Sequence, residues 1–119
     1  MQKILFIIND APYGSEKAYN ALRMVMALQK EHSNQVEIII YLLADAVFCG
    51  LTGQNTPLGF YNIERMLKSV IQKGAKVKSC CSCSEARGIA KTPLMEGVEI
   101  SNMADFSHWV IDCDKVLCF

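Results

Sequence analysis

Apolar residues fall along this chain in two textures, short continuous runs and stripes of helical period. Lys3 to Ile8 (Lys-Ile-Leu-Phe-Ile-Ile) and Val36 to Leu43 (Val-Glu-Ile-Ile-Ile-Tyr-Leu-Leu) are strand-length runs without alternation. Such runs predict strands buried on both faces, the mark of a parallel sheet. Between them Ala18, Ala21, Leu22, Met24, Val25 and Leu28 follow the spacing of one helix face, over Glu16 to about Glu31. Ser15 is placed to cap that helix, and His32-Ser33-Asn34 to end it. Strand, helix and strand in this order make a βαβ unit with a right-handed crossover.

Beyond Leu43 the pattern loosens. Ala44 to Gly50 predicts a short helix, and Leu51 to Phe60, rich in Gly, Pro and polar residues, a loop suited to function or a partner contact. Asn62 is the expected cap of a helix reaching about Lys73, with Ile63, Met66, Leu67, Val70 and Ile71 inward and Gly74 as its stop. Ala75 to Ser79 predicts a third strand. Ala86 to Ile89 reads as a turn or a single helical turn, Pro93 to Gly97 as a linker, and Val98 to Ile100 as a short strand. Ser101 or Asn102 then caps a last helix through Asp112 that buries Met103, Phe106, Trp109 and Val110, before a final strand, Lys115 to Phe119. The alternation predicts one α/β domain over residues 1–119, with a doubly wound sheet of about five strands.

Composition narrows the function classes. The chain has 119 residues, 51% hydrophobic and 20% charged, enough for one core and too few for two. Twelve basic residues balance twelve acidic ones, which argues against a nucleic-acid footprint or a polybasic membrane anchor. The first apolar run is cut off by Asn9-Asp10, too short for a signal peptide. No run approaches the roughly 20 apolar residues of a membrane span. A cytoplasmic protein is expected, in which the six cysteines are mostly thiols.

In an open parallel sheet, ligands bind beyond the carboxyl ends of the strands. Three stretches map there: residues 9–15, 44–60 and 80–88. The first lacks both dinucleotide and P-loop glycine patterns, and an ordinary strand-to-helix turn outweighs a ligand loop there. Asp45 is either a polar site residue or a cap for the short helix, and His32 and His108 each stand alone. The sharpest signal is Lys78-Ser79-Cys80-Cys81-Ser82-Cys83-Ser84-Glu85-Ala86-Arg87-Gly88. Cys80 and Cys83 form a Cys-x-x-Cys at a strand end, where helix N–H groups, with Arg87 or Lys78, would favour a thiolate. A thiolate of that kind can take sulfane sulfur as a persulfide, exchange with disulfides, or close a Cys80–Cys83 disulfide. Zinc would need four ligands, and no second pair of the required type accompanies the cluster. For Cys80 a reactive role outweighs packing; for Cys81 and Cys83 packing outweighs reactivity, and Cys49, Cys113 and Cys118 read as core thiols.

A resemblance sharpens these expectations. Met1-Gln2-Lys3-Ile4, Ala11-Pro12-Tyr13-Gly14-Ser15-Glu16, Asp45-Ala46-Val47, Gly50-Leu51, Gly53-Gln54, Gly59, Tyr61-Asn62-Ile63, Arg87-Gly88-Ile89, Gly97-Val98-Glu99-Ile100 and Asp114-Lys115-Val116-Leu117 span nearly the whole chain. Together they resemble the YchN-like branch of the DsrE/DsrF family, which also holds sulfur-relay proteins of the TusD type. The resemblance implies a flavodoxin-like three-layer sandwich with a mostly parallel sheet, assembling into homo-oligomers, trimers or hexamers. For the family's sulfur-relay members it also implies a persulfide-carrying cysteine in the loop after a mid-chain strand. Aligned on Arg87-Gly88, Cys80 takes that position and Cys83 matches a second cysteine of the branch, while Cys81 has no counterpart.

The expectation is therefore a sulfur-handling protein that works through Cys80, with Cys83 as partner thiol. Donor and acceptor proteins take the place of a bound cofactor, and no nucleic acid or membrane is involved. The alternatives are an oligomeric small-ligand binding module built from the three loops, and a thiol redox sensor.

Overall fold

In the computed structural model, which describes residues 1–119, the two continuous apolar runs become β1 (Gln2–Ile8) and β2 (Val36–Leu42). Between them lies α1 (Lys17–Glu31). A short 3₁₀ helix (Ala44–Gly50), α2 (Ile63–Gln72), β3 (Lys76–Cys80) and α3 (Cys81–Ala86) follow. The chain closes with β4 (Val98–Ser101), α4 (Met103–Asp112) and β5 (Lys115–Cys118). All four strand pairings are parallel, in the order β4-β3-β2-β1-β5.

That order explains why the apolar runs do not alternate. Steps from β1 to β4 advance across the sheet one way, and the last connection returns to set β5 beside β1. Right-handed crossovers put the advancing helices on one face and the returning helix on the other. Ile4, Phe6, Ile8, Ile38, Ile40 and Leu42 accordingly meet the helix faces Ala18-Ala21-Leu22-Val25 and Ile63-Leu67-Val70. Leu5, Ile39 and Tyr41 point the opposite way, onto Phe106 and Trp109 of α4. The Tyr41 ring stacks on Phe106 at 4.0 Å and meets Trp109 edge-on at 6.2 Å. This is the three-layer α/β sandwich, with its parallel sheet, that the sequence predicts.

Asn62 and Asn102 cap α2 and α4, their side-chain oxygens accepting the Arg65 and Asp105 N–H groups at 3.0 and 2.9 Å. Such caps are each worth about 1 kcal/mol. Gly74 ends the α2 turn at a φ of 105°, where a Cβ would be strained.

Several sequence expectations fail at the surface. Ser15 lies one residue before the boundary residue Glu16 and makes only a long cap contact, accepting the Lys17 N–H at 3.4 Å, while its hydroxyl donates to the Asp10 carboxylate at 2.7 Å. Met24, Met103 and Val110 are exposed rather than buried, because α1 and α4 each cover their sheet face with a narrower stripe than the apolar pattern suggested. Cys118 lies exposed on the edge strand β5, not in the core, and Cys113 is only half-buried.

Candidate functional site

Alternation along β3 turns Val77 and Ser79 toward α2, and Lys78 and Cys80 toward α4. Cys80 is the last residue of the strand and also the cap of α3. The residue, 3% exposed, lies in the apolar cluster of Leu5, Ile39, Tyr41, Val47 and Phe106. There its sulfur accepts the Cys83 N–H at 3.4 Å and stands 3.4 Å from the Ser82 hydroxyl. The helix registers on this thiol because the buried Ser84 hydroxyl donates back to the Cys80 carbonyl at 2.8 Å.

The two thiols of the pair are driven apart in acidity. Burial pushes Cys80 up, but hydrogen bonds from the Cys83 thiol, the Ser82 hydroxyl and the Cys83 and Ser82 amides outweigh it. Its net shift is below the ordinary cysteine value. Cys83 moves the other way: burial and its hydrogen bond to Cys80 raise it, against the opposing pull of the Ala44 amide and the Arg87 charge. Cys80 is thus the more acidic thiol of the pair and Cys83 the less acidic.

The 3₁₀ helix holds Cys83 from the other side. The Ala44 N–H donates to the Cys83 sulfur at 3.2 Å, and Ala44 is in the left-handed region at a φ of 52°. A non-glycine residue there carries about 1–2 kcal/mol of strain, of the kind that accumulates at functional sites. Asp45 does not cap its helix; its carboxylate accepts from the Arg87 Nε at 2.8 Å. The Arg87 Nη1 reaches the Cys83 carbonyl at 3.2 Å, so this one guanidinium ties the end of α3 to the 3₁₀ helix. Lys78 does not serve the thiols: its ammonium sits 3.7 Å from Asp105 and 4.8 Å from the Trp109 ring centre. Cys81 points outward and donates to Glu85 at 3.2 Å, and that bond, with burial, raises its pKa.

A second cluster joins the other two loops at the same edge of the sheet. The Tyr13 hydroxyl donates to Gln54 Oε1 at 2.7 Å and accepts the Ile63 N–H at 3.1 Å. Gln54 donates to the Cys49 and Leu51 carbonyls at 3.1 and 2.9 Å, and its own N–H goes to Glu64 at 2.9 Å. Beside this hub, Tyr13, Phe60, Tyr61 and Pro57 line an open cavity of about 440 Å³. Burial pushes the nearby Cys49 thiol up to about 12, which makes it an inert core thiol. No group of three or more His, Cys, Asp or Glu side chains stands together as a metal site.

The structure therefore brings Cys80, Cys83, Asp45 and Arg87 together and leaves Lys78, His32 and His108 outside. Ala44, Ser82 and Ser84 are contributors that sequence reasoning missed. Ser82 and Ser84 were legible as hydroxyls within the first turn after Cys80. Ala44 had no signal, because a left-handed alanine leaves no trace in composition or spacing.

A five-stranded parallel α/β sandwich with a thiol pair at the carboxyl end of β3 defines the class: the chain belongs to the DsrE/DsrF-like family, whose model matches residues 2–119. Within that family it is 43% identical to the protein YchN of Escherichia coli over 119 residues, the full length of both chains. It is also 41% identical over 116 residues to an uncharacterized protein of Methanopyrus kandleri, covering 98% of this chain and 93% of that one. The crystal structure of the Escherichia coli YchN protein superposes with a TM-score of 0.92 at 41% identity, over all of both chains. A Bacteroides thetaiotaomicron protein of unknown function shares the fold alone, with a TM-score of 0.66 at 15% identity over 98% of this chain and 94% of that one.

Proposed function

We propose that this chain is a sulfur carrier in which Cys80 takes up and passes on sulfane sulfur. In loading, the Cys80 thiolate attacks the outer sulfur of a donor persulfide, the S–S bond breaks, and the donor leaves as a thiolate that picks up a proton. In unloading, an acceptor thiolate attacks the outer sulfur of the Cys80 persulfide and returns Cys80 as a thiolate. The observation that carries this reading is the Cys80 sulfur at the head of α3, receiving the Cys83 N–H and lying beside the Ser82 hydroxyl. Membership of the DsrE/DsrF-like family supports it. Transfer requires α3 to open, since Cys80 is nearly covered. A helix of six residues, too short to be stable by itself, suits that demand.

The carrier works with donor and acceptor proteins, in the cytoplasm, as a homo-oligomer. Met103 and Ile111 of α4 and Val116 and Leu117 of β5 are exposed and apolar, and support assembly through that side of the sheet. Persulfide loading followed by mass spectrometry tests the reading. A one-sulfur gain on Cys80 is expected; an unmodified Cys80, or equal loading of a Cys80→Ser variant, rejects it.

A second reading, an oligomeric binding module without turnover, is favoured by the aromatic cavity of Tyr13, Phe60 and Tyr61. Alkylation separates the two: binding survives in the module and sulfur uptake fails in the carrier.

A further inference from the structure

Cys83 touches the sulfur that would carry the load. Cys80 is the cap of α3 and Cys83 its third residue, which sets the two side chains on the same side of the first turn. The Cys83 N–H lies 3.4 Å from Cys80 Sγ, and the Cys83 side chain packs against the apolar cluster that holds Cys80. Once Cys80 is persulfidated, the atom facing Cys83 is the inner sulfur. A second thiolate attacking the outer sulfur would merely move the persulfide along, whereas attack on the inner sulfur expels hydrosulfide. From the geometry we infer that the Cys80–Cys83 pair is a sulfide-releasing device, in which Cys83 discharges the Cys80 persulfide as hydrogen sulfide and leaves an intramolecular disulfide.

This rests on the carrier reading above and gives it a second product. The step balances without an outside oxidant. The Cys83 S–H bond breaks, the Cys83–Cys80 S–S bond forms, and the bond from Cys80 Sγ to the outer sulfur breaks with its electron pair going to that sulfur. The Cys83 proton ends on the departing hydrosulfide. The sulfane sulfur is reduced to sulfide while the two thiols are oxidised to the disulfide. A cellular dithiol reductant must then restore the pair, so a thiol–disulfide exchange reaction follows in sequence.

The protein around Cys83 fits the task. The Ala44 N–H at 3.2 Å and the Arg87 guanidinium both favour the Cys83 thiolate as it forms. The Asp45–Arg87–Cys83 carbonyl chain holds the first turn of α3 against the 3₁₀ helix while the bond closes. Cys81, pointing outward to Glu85, has no access to the inner sulfur.

The test uses the full chain loaded with sodium tetrasulfide, freed of excess reagent, and followed for released sulfide and for the masses of the cysteine peptide. The wild-type chain is expected to release sulfide as the one-sulfur adduct disappears, with a Cys80–Cys83 link appearing in equal amount. Cys83→Ser, which keeps an oxygen to accept the Ala44 N–H, is expected to hold its persulfide, with release slowed by about tenfold or more because an intramolecular attack is lost. A wild-type persulfide as long-lived as that of Cys83→Ser, or release without the Cys80–Cys83 link, overturns the inference and leaves the carrier reading standing. Failure of both chains to load at Cys80 overturns the two together.

Discussion

Replacing Ser82 by alanine tests whether the hydrogen bonds at the head of α3 set the chemistry of Cys80. Ser82 is exposed, so the change disturbs no packing, and the lost contact is the 3.4 Å approach of its hydroxyl to Cys80 Sγ. A hydrogen bond to a charged acceptor is worth about 1.5–3 kcal/mol. The long contact and solvent exposure place this one just below that range, at about 1.4 kcal/mol, which is about one pKa unit. At a pH below both pKa values the Cys80 thiolate fraction therefore falls about tenfold. The thiolate that remains is more basic and about threefold more nucleophilic, so the net loss in alkylation rate is about threefold. The assay is iodoacetamide labelling against pH, read by mass spectrometry at Cys80 in a Cys81→Ser background that removes the adjacent thiol. The midpoint for Cys80 in the parent should fall below that of an ordinary cysteine and move up by about one unit in Ser82→Ala. An unchanged midpoint, or a parent midpoint at the ordinary value, refutes the argument that the hydrogen bonds at the head of α3 make the cap thiol more acidic.

Three other outcomes follow from the geometry. Gly97→Ala places a Cβ 2.8 Å from Ile71 Cγ2 at a φ of 93°, so denaturant unfolding should show a loss of about 2–3 kcal/mol; an unaltered midpoint would mean this turn relaxes freely. The Glu64 carboxylate accepts the Gln54 N–H, which, with Lys68, outweighs burial and lowers its pKa. The stability it contributes is present above the ordinary glutamate value of 4.5 and lost as pH falls through the lower folded value. Melting curves of Glu64→Gln should therefore sit below the parent near neutral pH and converge with it in acid, and parallel curves would exclude the linkage. If the proposed homo-oligomer forms through the exposed apolar side of α4, Ile111→Asp should shift sedimentation toward a smaller species, and an unchanged species rejects that surface.

Much of the fold and part of the site were legible in the sequence. The unalternating runs at β1 and β2 announced a sheet covered on both sides, since each strand must satisfy two apolar layers at once. The helical stripe of α2, closed by Asn62 and Gly74, was readable because caps and period are local. Cys80 and Cys83 were legible for the same reason: a spacing of three next to a strand end fixes both thiols on one helical turn. Sequence alone therefore determined the α/β class, the parallel sheet and the thiol pair.

Tertiary structure decided what depends on contacts between distant segments. It assigned Lys78 to Trp109 and Asp105 and gave Arg87 to Asp45, although both cations lie near the thiols in sequence. It left Met103, Val110 and Cys118 exposed, because the strand order put β5 at an edge and nothing packs over the outer side of α4. It also brought the Ala44 amide from 39 residues away to the Cys83 sulfur. The acidity of a thiol depends on its burial and on every donor around it, summed over segments that meet only in the folded chain. Local pattern names the two cysteines, and only packing makes one of them the more acidic.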